Sequence, residues 1–196
     1  MYMINMISKR IAESINVKED ILKDEALLNT IQTIIDEITK TYRNKGKVLL
    51  CGNGGSAADA QHLAAEFSGK FYINRDPLEA EACHVNTSFL TAVANDFSYR
   101  SAYARYVKSS GKPGDVLIGL STSGNSENII EAFLMGREIG MKIIAFTGKS
   151  GGKMKELSDF LINIPSTDTP RIQEAHILVG HIICEFVEKN LFGNEK

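Results

Sequence analysis

Residues 47–66 read KVLLCGNGGSAADAQHLAAE, a short apolar run followed by a glycine-rich turn and an alanine-rich segment. This order predicts a buried strand, a tight turn and a helix that opens at Ser56. The turn offers backbone N–H groups to an anion, and the helix N-terminus adds positive potential at the same place. His62 and Glu66 are four residues apart, so one turn of helix puts both side chains on the same face. The stretch therefore indicates chemistry on a small phosphorylated molecule.

The overall composition is that of an ordinary soluble globular protein, with 43% hydrophobic and 23% charged residues in 196. A formal net charge of −2 and the lack of a basic stripe argue against a nucleic-acid partner. No apolar run approaches the ~18 residues that a membrane span requires, and the N-terminus does not resemble a signal peptide. Cys51, Cys83 and Cys184 are far apart and odd in number, which favours reduced thiols. We expect a cytoplasmic protein with no membrane partner.

The chain after residue 46 alternates short apolar runs with amphipathic segments, which predicts an α/β fold with a doubly wound, parallel five-stranded sheet flanked by helices. Strands are predicted at 47–51, 78–83, 115–120, 142–147 and 159–164, and helices at about 55–69, 86–108, 125–139, 152–157 and 170–192. The first ~45 residues carry isoleucines at helical spacing and predict an N-terminal helical extension. We expect one domain, 1–196, in which 46–196 form the α/β core with a C-terminal helix.

A second strand–turn–helix unit follows residue 115 and repeats the pattern of the first. Its turn carries four hydroxyl side chains (Ser121, Thr122, Ser123 and Ser126) and Gly124, which allows a sharp bend. An ordinary turn with a serine N-cap would need only one such hydroxyl, so four favour a phosphate site. Neither turn has the P-loop or the G-x-G-x-x-G pattern, so a nucleotide is not indicated. Ligands of doubly wound sheets bind at the carboxyl ends of strands, so both turns should line one site.

Further side chains suited to acid–base or metal chemistry lie in three parts of the chain. His62 and Glu66 have metal-ligand spacing, but a plain helix-surface contact explains the same spacing about equally well. Gln173 and His181 lie two helical turns apart and could reach one pocket, whereas His176 lies on another face and fits a structural role. Asn95-Asp96 ends a helical run and is also a common turn pair.

Two basic residues, Lys70 and Arg75, could offset phosphate charge, although single basic residues near a helix end are usually solvated.

Taken together, these motifs resemble the sugar isomerase (SIS) family, and within it the branch that acts on seven-carbon sugar phosphates. The resemblance covers about residues 10 to 192. It rests on Gly52-Asn53-Gly54-Gly55-Ser56, His62-x-x-x-Glu66, Asn95-Asp96-Phe97, Ser121-Thr122-Ser123-Gly124-Asn125-Ser126, Thr147-Gly148-Lys149-x-Gly151-Gly152 and Arg171-Ile172-Gln173-Glu174-x-His176. Some family members have arginine where this chain has Lys70, and lysine lacks the bidentate fork of arginine.

The resemblance implies an SIS-type fold and a homotetramer in which residues 1–45 pack between subunits, with active sites at the subunit interfaces. It implies one Zn²⁺ per subunit, held by His62, Glu66, Gln173 and His181. It also implies substrate contacts at Asn53, Gly54, Gly55, Ser56, Glu66, Asn95, Asp96, Ser121, Thr122, Ser123, Ser126 and Gln173.

The implied reaction is aldose–ketose isomerisation of sedoheptulose 7-phosphate to D-glycero-D-manno-heptose 7-phosphate through an enediol, the first step towards a nucleotide-activated heptose for a bacterial surface polysaccharide. Such a reaction needs a base at carbon and an acid/base partner at oxygen, for which Glu66 and His181 are the candidates.

Two alternatives remain open from the sequence. One is a non-catalytic SIS protein that acts through protein–protein contacts, like the DnaA initiator-associating protein. The other is a sensor or an isomerase for a different sugar phosphate. The presence of Glu66, Gln173 and His181 together favours the enzyme over the first alternative, and measured turnover would separate it from a sensor.

Overall fold

The central element is a parallel sheet of five strands. The computed structural model describes residues 2–193, so residue 1 and residues 194–196 of the predicted 1–196 domain lie outside it. The strands are β1 Val48–Gly52, β2 Ala80–Ala82, β3 Val116–Ser121, β4 Lys142–Thr147 and β5 Phe160–Asn163, and their order is β2-β1-β3-β4-β5. In this doubly wound order the chain reverses direction across the sheet between β1 and β3, and ligands bind at such a point. The predicted fold class is confirmed.

Seven α-helices cover the sheet and extend from it. They are α1 Tyr2–Lys23, α2 Glu25–Arg43, α3 Gly55–Ser68, α4 Thr87–Asp96, α5 Ala102–Ser110, α6 Glu127–Ile139 and α7 Thr169–Phe192. Two short 3-10 helices, Tyr99–Ser101 and Gly152–Leu157, complete the described elements. Within residues 2–193 we find no helix with both the length and the apolar character needed to cross a membrane.

Two apolar clusters sit on opposite faces of the sheet, because neighbouring residues of each strand point to opposite sides. Leu50 of β1 belongs to the cluster formed with α2, α3 and α7. Leu49, next to it, belongs to the cluster formed with α5 and α6, which includes the buried Tyr103 and Phe133. Every residue of β1 and β3 is buried, as expected for strands covered on both faces.

Three predicted elements differ from the structure. The predicted helix at 86–108 is wrong as a single element: α4 ends at Asp96, Phe97 leaves helical geometry, and Ser98 caps the next short helix through Ser101 N–H. The strand predicted at 78–83 is only three residues long, because the Leu78 N–H bonds to Phe67 O instead of to a strand. The helix predicted at 152–157 is a 3-10 helix.

The predicted N-terminal helical extension consists of two helices. Asp24 separates them and accepts a hydrogen bond from Leu27 N–H as the N-cap of α2. Helix α2 buries its isoleucine stripe, including Ile34 and Ile38, against the sheet side of the molecule. Helix α1 buries only Ile21, so most of its apolar side chains face outward.

Candidate active site

The two turns predicted to share a site lie side by side at the carboxyl edge of the sheet. Strands β1 and β3 pair in register from Val48↔Val116 to Gly52↔Leu120, so both end at the same level. The Gly52–Gly55 turn follows the first strand and the Ser121–Ser126 turn follows the second. Adjacent parallel strands thus place the amino ends of α3 and α6 next to each other, where their N–H groups favour an anion.

The serine turn forms one wall of a cavity of about 210 Å³. Ser121 Oγ lies 2.9 Å from Ser126 Oγ and 3.4 Å from Ser123 Oγ, so three hydroxyls converge. The lining residues are Asn53, Ser56, Leu120, Ser121, Thr122, Ser123, Ser126, Thr169 and Gln173. Within the described part of the chain, none of these lining residues is a lysine or an arginine. Hydroxyl groups and the N–H groups at the helix ends are therefore the groups that could bind an anion here.

Close backbone packing explains why the serine turn contains Gly124. Its φ is +65°, and a Cβ at this position would lie 2.2 Å from Gly151 O. The turn therefore rests directly on the Gly151-Gly152 backbone, and the Met154 N–H donates to Gly124 O. Any side chain here would strain the turn and push it off its support.

A second polar cluster is formed by His62, Glu66 and His181, whose ligand-type atoms all lie within 4.8 Å of one another. The two Nε2 atoms of His62 and His181 are 2.9 Å apart, and His62 Nε2 is 3.3 Å from a Glu66 carboxylate oxygen. Helix α3 supplies His62 and Glu66 from successive turns, and α7 packs against it to supply His181. Two imidazoles and a carboxylate with converging atoms are a donor set that suits Zn²⁺.

Gln173 of α7 lies against the amino end of α3 and lines the serine-turn cavity. Its amide nitrogen is 3.5 Å from Ser56 Oγ, and it lines the serine-turn cavity two helical turns before His181. A Cβ on Gly55 would lie 2.7 Å from that nitrogen, so only glycine lets the turn approach Gln173 so closely. The structure thus places Gln173 in the serine-turn cavity, and its role as a zinc ligand stays a prediction.

Asn95 and Asp96 do not line the serine-turn cavity. They are exposed at the end of α4, and the Asn95 amide donates to Asp96 Oδ1 at 2.9 Å. Their contact with substrate therefore stays a prediction.

His176 is structural, as its position on another helix face indicated. It is fully buried, with Nε2 3.1 Å from Thr147 O, and its ring packs on Phe146. Burial lowers the pKa of His176 to about 4, partly offset by the bond to Thr147. The imidazole is therefore neutral at pH 7.

Arg75 does not line the serine-turn cavity, which corrects the expectation that it could offset phosphate charge there. Its guanidinium pairs with Glu188 at 2.8 Å, and both side chains are 1% exposed. Lys70 is exposed.

Three features of the site were missed from the sequence. Asp59, one helical turn before His62, has a buried Oδ2 without a hydrogen-bond partner in the described chain; burial raises its pKa, partly offset by the charges of His62 and His181. Tyr99 and Asn128 both bond to Asn53. The i,i+3 spacing of Asp59 and His62 was a readable signal, whereas the other two contacts join distant parts of the chain.

Comparison with known proteins agrees with this architecture. Residues 11–148 match the family model of the SIS domain. The chain is 54% identical over 193 residues to the phosphoheptose isomerase of Clostridium acetobutylicum, and the alignment covers 98% of each protein.

Solved structures give the same result. Phosphoheptose isomerases from Neisseria gonorrhoeae and Francisella tularensis superpose with TM-scores of 0.89 and 0.92, at 40% and 32% identity. The matches cover 95% and 96% of this chain, and 99% and 100% of those chains. The chain belongs to the SIS-domain family, and within it to the phosphoheptose isomerases. The protein is therefore an enzyme of the isomerase class.

Proposed function

We propose that this enzyme interconverts sedoheptulose 7-phosphate and D-glycero-D-manno-heptose 7-phosphate. The observation that carries the proposal is the placement of the His62–Glu66–His181 cluster on the two helices that also supply Ser56 and Gln173 to the hydroxyl-lined cavity. A phosphate held at one end and acid/base groups at the other suit a substrate that reacts at C1 and C2. The product supplies a heptose for a bacterial surface polysaccharide.

Different residues of the site bind the phosphate and transfer the protons. Ser121, Thr122, Ser123 and Ser126 hold the phosphate, which fixes the open-chain sugar and saves the entropy of positioning it. From the ketose, Glu66 removes a proton from C1 while His181 gives a proton to O2, which forms the enediol. Glu66 then returns the proton to C2 while His181 takes one from O1, which gives the aldose. Each group ends in the protonation state in which it began.

Zinc is part of the proposal. The facing imidazole nitrogens and the Glu66 carboxylate fit Zn²⁺, with Gln173 as the fourth ligand and one ion per subunit. When bound, the ion supplies Lewis-acid stabilisation to the sugar oxygens that carry negative charge. Glu66 has two carboxylate oxygens, so one could hold the ion while the other takes up the proton, whereas His181 would give and take a proton at its converging nitrogen only while that nitrogen does not hold the ion.

We also propose a homotetramer whose active sites lie at subunit interfaces. Residues 1–45 would act as the oligomerisation segment and 46–196 as the catalytic core of one domain. The support is the row of exposed isoleucines on α1, which is unusual for a helix that faces only water.

The test is proton NMR of the protein with sedoheptulose 7-phosphate in D₂O. We expect new aldoheptose 7-phosphate signals, and the degree of deuterium at C2 measures how far the proton carried by Glu66 exchanges with solvent. A lack of turnover with and without added zinc, combined with turnover of a pentose or hexose phosphate, would assign the enzyme to another sugar phosphate. A lack of turnover with every sugar phosphate would favour the non-catalytic alternative.

A further inference from the structure

Two asparagine side chains join the two turns of the site. Asn53 of the glycine turn donates from Nδ2 to Asn128 Oδ1 at 2.9 Å, and Asn128 Nδ2 donates back to Asn53 Oδ1 at 2.8 Å. Asn128 lies in the first turn of α6, directly after the serine turn, and is only 5% exposed. The pair therefore bridges the amino ends of α3 and α6, the two anion-binding ends of the site.

Two tyrosines complete the support of the glycine turn. The Tyr99 hydroxyl donates to Asn53 Oδ1 at 2.9 Å, and the Tyr103 hydroxyl donates to Gly52 O. Tyr103 is 1% exposed, so the second bond is shielded from water. Three of the hydrogen-bonding positions of the Asn53 amide are thus used within the protein, and the glycine turn is held from two sides.

This hydrogen-bond network includes a residue that lines the cavity, so its effect is not limited to the stability of the fold. Asn53 lines the same cavity as Ser121, Ser123 and Ser126, whereas Asn128 is not among its lining residues and borders, with Asn53, the adjoining cavity. A shift of the glycine turn would move the amino end of α3 relative to the serine turn, and with it the helix that carries His62 and Glu66 further along. The two ends of one substrate must be held at a fixed spacing, and a displacement of about 1 Å costs on the order of 100-fold in rate.

We propose that Asn128 is a positioning residue for the isomerase reaction. Its amide clamps Asn53 and so sets the distance between the acid/base end and the phosphate end of the site. The inference rests on the proposed function for its substrate, and it adds Asn128, with Tyr99 in support, to the residues that determine activity.

The test compares Asn128→Ala with the wild-type enzyme in three measurements. These are kcat/KM for sedoheptulose 7-phosphate, the inhibition constant of inorganic phosphate, and the stoichiometry of bound zinc. We expect kcat/KM to fall by about 10- to 100-fold. The phosphate inhibition constant should change less than about twofold, because the variant leaves the serine turn and the amino end of α6 in place, and the zinc stoichiometry should be unchanged. A variant with wild-type kcat/KM, or one that loses all three properties together, would overturn the proposal.

A double-mutant cycle tests whether Asn128 acts through Asn53. If it does, the Asn53→Ala, Asn128→Ala double variant will be no slower than the slower single variant, whereas additive losses would contradict the clamp. Asn190→Ala is the matched control, because the Asn190 amide also joins two elements, α7 and α2, through Thr39, far from the cavity. It should leave kcat/KM unchanged.

Tyr99→Phe decides the question if Asn128→Ala does not fold. Tyr99 is 47% exposed, so the variant removes one bond to Asn53 with little effect on the core. A fall in kcat/KM with unchanged phosphate inhibition supports the clamp, and unchanged kcat/KM overturns it. If the wild-type enzyme itself does not turn over sedoheptulose 7-phosphate, the proposed function fails. Calorimetry then tests the clamp independently, through the ratio of the affinity for sedoheptulose 7-phosphate to the affinity for inorganic phosphate. A lower ratio in the variants than in the wild type supports the clamp, and an unchanged ratio overturns it.

Discussion

Glu66 is the residue on which the proposed proton transfer depends most. Its carboxylate is part of the converging cluster with His62 and His181, and an amide in its place cannot accept a proton from carbon. We expect Glu66→Gln to lower kcat by about 10²- to 10⁴-fold, the usual contribution of a general base. Steady-state kinetics measure the loss, and inhibition by inorganic phosphate should be unchanged. Near-normal kcat would remove Glu66 from the role of carbon base.

We expect the hydroxyls of the serine turn to act on substrate binding rather than on the chemical step. Ser121 and Ser123 both line the cavity, and their hydroxyls are 3.4 Å apart. A hydrogen bond to a charged phosphate is worth about 1.5–3 kcal/mol, so Ser121→Ala and Ser123→Ala should each raise KM by about 10-fold or more, with a smaller change in kcat. Ser109→Ala is the control, because that hydroxyl bonds only within α5 and to its neighbour Ser110. Unchanged KM in both serine-turn variants would place the phosphate elsewhere.

His176 couples the stability of the fold to pH. Its folded-state pKa of about 4 lies below the ordinary value of 6.5, so the unfolded chain binds the proton more readily. The stabilisation from neutral His176 is therefore complete above pH 6.5 and is lost as the pH falls towards 4, by up to about 1.4 kcal/mol per pH unit.

Urea unfolding at pH 7 and pH 5 measures this coupling. In His176→Asn the side chain at this position no longer titrates. The stability difference between the two pH values should then be smaller than in the wild type by about 2 kcal/mol. An identical difference in both proteins would show that His176 is not the group responsible.

At the scale of elements, a buried ion pair holds the segment after α3 against α7. Glu188 of α7 accepts from the Phe71, Tyr72 and Ile73 N–H groups at 2.7–2.9 Å, and from Arg75. Burial alone would raise the pKa of Glu188, but these donors outweigh it and keep the pKa below its usual value. Because α3 carries His62 and Glu66 while α7 carries His181, this tie also supports the helix pair that forms the cluster.

We expect Glu188→Gln to destabilise the protein by about 3 kcal/mol or more, because it leaves Arg75 buried without a counter-charge. Chemical denaturation measures the loss. Glu185→Gln is the matched control on the same helix: its exposed pair with Lys189 should contribute less than about 1 kcal/mol. Equal effects of the two variants would mean that burial of the pair has no energetic importance.

Some helices and strands could be predicted from the sequence, and others could not. Strands such as β1 and β3 were predictable, because residues 48–52 and 116–121 are apolar runs ended by glycine or serine turns. The break between α4 and α5 was missed, because it depends on Ser98 capping a new turn rather than on a proline or glycine.

At the site, the hydroxyl cluster and the His62–Glu66 pair were readable, since each lies within one short segment. The Asn53–Asn128 pair and the Arg75–Glu188 pair span 75 and 113 positions, and no local pattern indicates them.

At the scale of the whole molecule, helix α1 carries an apolar surface that a single protomer does not explain. Ile4, Ile7, Ile11 and Ile15 recur at helical spacing along α1 and are 50–66% exposed. These four side chains form the exposed apolar row of α1. Near this row, Arg171 of α7 donates a hydrogen bond to Arg10 O at 2.7 Å, which joins α1 to the start of α7. An assembly that buries this row would therefore also brace α7, which carries Gln173 and His181.

We expect Ile11→Glu combined with Ile15→Glu to break the proposed tetramer into smaller species, because two charges would be buried in an apolar interface. Light scattering coupled to size-exclusion chromatography measures the mass. Since the proposed active sites lie at subunit interfaces, kcat/KM should fall with the tetramer fraction, while the far-UV circular dichroism stays close to that of the wild type. Lys9→Glu is the control, because Lys9 is exposed on the side of α1 opposite the isoleucine row, and it should leave the mass unchanged. An intact tetramer in the double variant would show that assembly uses another surface, and full activity in a dissociated variant would show that each protomer contains a complete site.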